Sequence, residues 1–404
     1  MNGESTSQYL IPQFPTLPAP PPPPFAIQKK AVSIQQMVHD AYNLQATDVH
    51  IRVGELPRFR IRGQMEVYEL AGVVTPKIFE DYLDEVLSPS AKQRFIETQE
   101  LDTAIVYPGL VRCRINCFET LTGGAMVLRL ITLHVPSIDN LGLPAVLKNI
   151  VNKKQGLILV TGSTGSGKST TIAAMIRYLN ETQQKHIITI EDPIEYVHTS
   201  QNSLISQREV GLHTHEFHDA LRSALREDPD VIVVGEMRDR ITVDTAIKAA
   251  QTGHLVLGTL HSKDTIGAIN RLLNLYNPDE QAIMRVQIVD SLVAVVAQRL
   301  LSTTDGGRTA PMEILINTPT MQDYLLKGED TEAYQLIEAS RKEGMQVMND
   351  ALCELMLTGQ ISIEDAFNNT PDIGDLRRRS RNEGLDPSHS TGRSFFKAYN
   401  YSSN

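Results

Sequence analysis

One run of residues, Gly162-Ser163-Thr164-Gly165-Ser166-Gly167-Lys168-Ser169, matches the pattern G-x-x-x-x-G-K-[ST] in full. Each residue type in it answers a demand of phosphate chemistry. Gly162, Gly165 and Gly167 let backbone N–H groups approach an oxyanion without a Cβ in the way. A helix beginning near Lys168 adds the positive end of its dipole. Lys168 would reach the β- and γ-phosphates of a nucleotide, and Ser169, followed by Thr170, would offer a hydroxyl to magnesium. An ordinary glycine-rich turn is the competing explanation. It does not account for the context: the apolar run Gly156 to Val160 precedes the loop, and the helical pattern Lys168 to Glu181 follows it.

Phosphoryl transfer to water also needs a positioned water, a metal, and cations for the developing charge. Candidates stand after successive strand-like runs. Glu191-Asp192-Pro193-Ile194-Glu195 follows Ile187 to Ile190, and Gly235-Glu236 follows Val231 to Val234. Ligands of open parallel sheets gather at the carboxyl ends of strands, so both groups should face the cradle. Gly235 takes the slot where many P-loop enzymes carry Asp, which leaves Glu236 as the magnesium-side carboxylate. His261 closes the run Leu255 to Leu260, which Thr252-Gly253-His254 precedes. A histidine at a strand's carboxyl end can sense a γ-phosphate or can be a hydrogen-bonded structural residue, and the pattern leaves both open. His213, His215 and His218 are not read as a metal site, because no thiolate or further ligand stands near them in a polar loop. Arg58, Arg60 and Arg62 alternate with Phe59 and Ile61, as Arg112 and Arg114 do with Val111, Cys113 and Ile115. Such alternation gathers guanidinium groups on one strand face. That face is either solvated or meets an anion, and in a P-loop assembly the anion would be the triphosphate held by a neighbouring subunit.

The elements that must position these groups fall into two domains. Strand patterns alternating with helical ones over 145–370 predict an α/β domain built on a mostly parallel sheet, with helical patterns dominating from Asp279 onward. Residues 31–135 predict an α+β domain. The segment 136–144, marked by Pro and Gly, reads as a linker. Residues 1–30, with five consecutive prolines from Pro20 to Pro24, read as a disordered or polyproline leader. Residues 371–404, with Arg377, Arg378, Arg379 and Arg381, read as a flexible basic tail. The chain has 404 residues, 41% hydrophobic and 21% charged, so two packed domains can be filled. Its net charge of −10 argues against bulk nucleic-acid binding, so no direct nucleic-acid partner is expected. Three cysteines form neither a disulfide framework nor a zinc pair, which fits a reducing cytoplasm. Neither a signal peptide nor an apolar run of transmembrane length is found, so any membrane association should be peripheral.

Together these motifs resemble those of the type II/type IV secretion ATPases, in particular the type IV pilus retraction motors. The resemblance runs from about Ala31 to Phe367. It rests on Ala46-Thr-Asp-Val-His50, the loop at 162–170, Thr189-Ile-Glu-Asp-Pro-Ile-Glu-Tyr196, the stretch Ala224 to Asp239, Thr252 to His261, and Gly344-Met-Gln-Val-Met-Asn349. It implies an N-terminal PAS-like domain, a RecA-like motor domain and a homohexameric ring using ATP and Mg2+. It further implies that Glu195 orients water and Glu236 serves the metal. His254 and His261 would sense conformation and γ-phosphate, and arginines such as Arg112 and Arg114 would complete the site. The implied partner is an inner-membrane pilus or secretion platform protein, met at the cytoplasmic face. Absence of a tetracysteine zinc site favours retraction over extension. Thr320 to Lys327 departs from the Ala-Ile-Arg-Asn-Leu-Ile-Arg-Glu-like helix usual in retraction motors. An ATPase of a type IV secretion or conjugative apparatus is the close alternative. A scaffold subunit that binds nucleotide without hydrolysis, and a DNA translocase, are more distant ones.

Overall fold

The computed structural model describes residues 32–383, in two compact units that divide between Leu130 and Ile131. The proline-rich segment and the residues beyond 383 lie outside the described residues.

The first unit begins with α1 (Ile34–Asn43), whose Ser33 cap accepts the Gln36 N–H and whose apolar stripe Ile34, Met37, Val38 and Ala41 is buried. Its sheet contains β1 (Ala46–Arg52), β2 (Arg58–Ile61), β3 (Gln64–Val67), β4 (Glu100–Tyr107), β5 (Val111–Thr120) and β6 (Gly123–Thr132), in the order β3-β2-β1-β6-β5-β4. Two helices, α2 (Pro76–Val86) and α3 (Pro89–Thr98), each start with a hydroxyl cap followed by proline. Phe79, Tyr82, Leu83 and Phe95 from these helices share a core with Val49, Ile51, Phe59, Cys113, Ile115 and Met126 from the sheet. Arg58 and Arg60 alternate with core residues along β2, as Arg112 and Arg114 do along β5. Arg62 does not continue that series. With φ 48°, followed by Gly63 at φ 82°, it forms the β2–β3 turn, where the backbone leaves the strand.

The second unit carries a seven-stranded sheet. Its strands are β7 (Gly156–Thr161), β8 (His186–Glu191), β9 (Leu204–Glu209), β10 (Val231–Val234), β11 (Leu255–Leu260), β12 (Leu292–Gln298) and β15 (Met312–Ile316). A small ribbon of β13 (Leu301–Ser302) and β14 (Arg308–Thr309) lies beside it. The order is β15-β12-β7-β11-β10-β8-β9, and every pairing is parallel except that of β12 with β15. Strands β7, β10 and β11 are buried along their whole length, so they read as continuous apolar runs. Their alternate side chains feed two cores. Leu157, Leu159, Ile232 and Val256 enter one, and Ile158, Val160, Val231 and Leu257 the other. Burying each such side chain contributes about 1.5–3 kcal/mol. The helices are α4 (Val146–Val151), α5 (Lys168–Thr182), α6 (Phe217–Ala224), α7 (Arg240–Gln251), α8 (Thr265–Leu273), α9 (Pro278–Ser291), α10 (Pro319–Lys327), α11 (Asp330–Ala339), α12 (Met348–Leu357), α13 (Ile363–Asn368) and α14 (Ile373–Asn382). The α/β organisation with a mostly parallel sheet is as expected.

Two expectations are corrected. Residues 136–144 are no free linker: Ile138 (1% exposed) and Leu143 (8%) are buried in the second unit's core, beside Leu147 and Met175. Residues 373–382 are no mobile tail either. Helix α14 buries Leu376 and Ser380, and Arg379 pairs with Asp375, Asp350 and Glu338. Arg379, read as part of a flexible basic tail, is there matched by Asp350 on α12 and Glu338 on α11. After Asp279 helices dominate as expected, with β12 to β15 among them. The apolar run of β12 has no flanking Gly or Pro, and periodicity alone does not separate it from a buried helix.

Candidate functional site

The glycine-rich loop leaves β7 and enters α5 under tight restraint. Gly162 has φ 151°, and a Cβ there would stand 2.4 Å from the Gln298 carbonyl oxygen and 2.5 Å from Ser166 Oγ. Gly165 and Gly167, at φ 78° and 88°, occupy the left-handed region that other residues rarely adopt. Gln298, at the end of β12, is 2% exposed and donates from Nε2 to the Ser166 carbonyl over 2.7 Å. Thr161 ties the loop's other side to β11 by accepting the Ser262 N–H at 2.7 Å. The Lys168 ammonium donates to the Gly162 and Ser163 carbonyls at 2.9 and 3.1 Å.

Beside the loop lies a cleft of about 690 Å³, lined among others by Lys168, Ser169, Glu191, Glu195, Glu236 and His261. Thus the carboxyl ends of β8, β10 and β11 converge on one space, as the switch-point rule requires. Burial holds the Lys168 ammonium below its usual range, while the charges of Glu236 and Glu195 pull the other way. Glu236 stands 3.5 Å from His261 Nε2 and 3.7 Å from an Arg238 nitrogen. The other arm of Arg238 is 3.8 Å from Asp192, and its guanidinium lies 5.8 Å from the Phe217 ring centroid. Thr259 donates to the Gly235 carbonyl and braces the backbone before Glu236. Tyr196 and Thr170 share a hydroxyl–hydroxyl bond of 2.9 Å, which joins the Glu195 loop to the helix of the cradle. Glu191 sits deeper. It accepts from Thr189 and Gln207, and burial pushes its carboxyl above its usual range. The cleft is also lined by the apolar Pro136, Leu141, Leu143 and Leu300 and by Arg308.

Not every expected residue is in this cleft. His254 precedes β11 and His261 follows it, so a six-residue strand separates them, about 20 Å at strand rise. The His254 ring bonds to the Ala249 carbonyl at 3.0 Å, at the end of the sheet away from the cleft. Arg112 and Arg114 belong to the first unit, where Arg114 stands 3.6 Å from Asp102 on β4. His213 accepts the Glu209 N–H, and His218 lies 3.3 Å from Asp219. Among the described residues no group of three or more His, Cys, Asp or Glu is arranged to hold a metal. Sequence reasoning passed over Gln298, Arg238 and Gln207. Arg238 was signalled by its place two residues after Glu236, whereas no local pattern marks Gln298 or Gln207.

Residues 27–306 match the family described as type II/IV secretion system protein. A twitching motility protein of Neisseria gonorrhoeae is 41% identical over 327 residues, which cover 81% of this chain and 84% of that protein. The type IV pilus retraction ATPase PilT of Pseudomonas aeruginosa is 40% identical, with coverage of 80% and 93%. Among solved structures, the pilus retraction motor PilT with bound ADP superposes with TM-score 0.80 at 40% identity, covering 86% of this chain and 99% of that one. The ATPase DotB of Legionella pneumophila gives TM-score 0.71 at 27% identity, with coverage of 84% and 96%. The chain belongs to the type II/IV secretion system protein family.

Proposed function

We propose that this member of the type II/IV secretion family is a Mg2+-dependent, ATP-hydrolysing motor that powers type IV pilus retraction as a homohexamer. The observation that carries the chemistry is the cleft itself. A complete phosphate cradle faces two carboxylates close enough to act on its lysine, with a histidine on the second of them. A Cβ at Gly162 would collide with the Gln298 carbonyl and Ser166, so the loop's course requires glycine there, and such a close-packed loop suits backbone approach to phosphate. Leu141, Leu143 and Leu300 among the lining residues suit a base, and the glycine-rich loop suits phosphates.

In this reading backbone N–H groups from Ser163 to Lys168 hold the phosphates, and Lys168 neutralises the outer pair. Ser169 and Glu236, both lining the cleft, offer a hydroxyl and a carboxylate suited to magnesium, which when bound neutralises charge on the β- and γ-phosphates. Glu195 orients a water toward the γ-phosphorus and takes its proton. The new P–O bond forms as the bond to the β–γ bridging oxygen breaks. His261, beside Glu236, registers the γ-phosphate. Arg112 and Arg114 reach the triphosphate of a neighbouring subunit. His254, placed at the far end of β11, has no part in the chemical step and would act at most on conformation. The implied partner is an inner-membrane platform protein, met from the cytoplasmic side; among the described residues no helix is long and apolar enough to cross a membrane.

The test is deletion in the source organism. Surface pili should persist but fail to retract, with twitching motility lost. Loss of pili altogether would point to extension. The family's description as type II/IV secretion system protein supports a second reading, a motor of a secretion apparatus, for which export would stop while pili were unaffected.

A further inference from the structure

The loop that carries Glu195 runs from 192 to 203 without helix or strand, so no ladder satisfies its backbone or fixes its place. Side chains do so instead, and two of them come from one face of the edge strand β9. Gln207 accepts the His198 N–H at 2.8 Å and donates from Nε2 to the Tyr196 carbonyl at 2.9 Å and to Glu191 Oε1 at 3.1 Å. Two positions along, the buried Glu209 accepts the Ile194 N–H at 3.2 Å. Backbone groups immediately before and after Glu195 are therefore caught by residues 207 and 209, which period-two geometry aligns. From the other side, Asn180 of α5 donates to Thr199 and accepts from Gln201.

We infer that β9 is the alignment element of the hydrolytic step, and that Gln207 is a positioning residue which sets Glu195 in the cleft without touching nucleotide. The inference rests on Glu195 orienting the attacking water. Gln207 closes a ring through the Tyr196 carbonyl and the His198 N–H, much as a paired strand would, and its third bond fixes the loop relative to Glu191 at the end of β8. A shift of about 1 Å in a group that orients a reactant costs on the order of a hundredfold in rate, whereas a nucleotide held by the cradle is unaffected by it. The signature is thus a loss in kcat with KM preserved.

The experiment compares the full-length chain with Gln207→Met, Glu195→Gln and the double variant. The readouts are phosphate release, binding of a fluorescent ATP analogue, and thermal unfolding. Gln207→Met keeps the side chain's length and removes its hydrogen bonds. It should lower kcat at least tenfold, leave KM and analogue affinity within twofold, and add no further loss to the residual rate of Glu195→Gln. Analogue binding at native affinity shows that the variant is folded. Normal turnover by Gln207→Met, a matching loss of analogue affinity, or losses that multiply in the double variant would overturn the inference. In each of those cases the assigned role of Glu195 survives if Glu195→Gln alone is inactive. Full activity of Glu195→Gln overturns both.

Discussion

Replacing Gly162 by alanine should separate the cradle from the fold that holds it. The new methyl group would lie 2.4 Å from the Gln298 carbonyl oxygen, a main-chain atom that no rotamer can move aside. To reach even the closest tolerated approach, the loop or the end of β12 must shift by about 0.6 Å, on a backbone at φ 151° that disfavours a side chain. Such strain costs about 1–3 kcal/mol, and relieving it moves the N–H groups that face phosphate. We therefore expect ATP affinity to fall about ten- to hundredfold, at 1.4 kcal/mol per decade. Gly258→Ala is the internal control. Its methyl group would stand 2.2 Å from Met237 Sδ, but that obstacle is a flexible thioether in the core rather than backbone. It should lower the melting temperature and leave nucleotide affinity unchanged. Titration with a fluorescent ATP analogue, together with thermal unfolding, reads both. Native affinity in Gly162→Ala, or an equal loss in both variants, would refute the argument.

Other consequences are open to measurement. Arg379→Met leaves Asp350 (5% exposed) and Asp375 without their main cation, so it should destabilise the packing of α14 by about 3 kcal/mol. Hydrogen exchange across 373–382 should rise well above native, and unchanged protection would contradict the packing described. Burial depresses His198 to a pKa of about 4, from an ordinary value near 6.5. Between these values the unfolded chain binds more protons, so the contribution is full above about pH 6.5 and lost as pH falls toward 4, by up to about 3 kcal/mol. His198→Asn should flatten denaturant stability between pH 7 and 5, and an unchanged slope would assign the dependence elsewhere. A variant lacking Arg112 and Arg114 should be inactive alone and regain activity when mixed with Lys168→Ala. No recovery in demonstrably mixed rings would count against arginine donation between subunits.

Most of the cleft was legible because its groups obey local rules. The cradle is a contiguous motif, and Glu191, Glu195, Glu236 and His261 follow apolar runs whose carboxyl ends a parallel sheet brings together. His254 failed that rule for the same reason that His261 obeyed it: the two stand at opposite ends of one strand. What remained hidden depends on long-range pairing. Gln298 meets Ser166 across 132 positions, and Arg379 meets Glu338 across 41. No periodicity announces either. Strand β9 was missed because Leu204 to Glu209 is polar and only half-buried at the sheet edge, with none of the apolar runs of its neighbours. Residues 136–144 look like a linker by composition, and only the burial of Ile138 and Leu143 assigns them to the second unit.

The central claim is that Glu195 acts on water while the loop at 162–169 holds nucleotide. Phosphate release and ATP-analogue binding, measured together on Glu195→Gln, test it most directly. The account predicts analogue binding within about twofold of native and phosphate release lowered by about a hundredfold or more, the range typical of losing a positioned acid or base. Native phosphate release by Glu195→Gln would contradict it and move the role to Glu191.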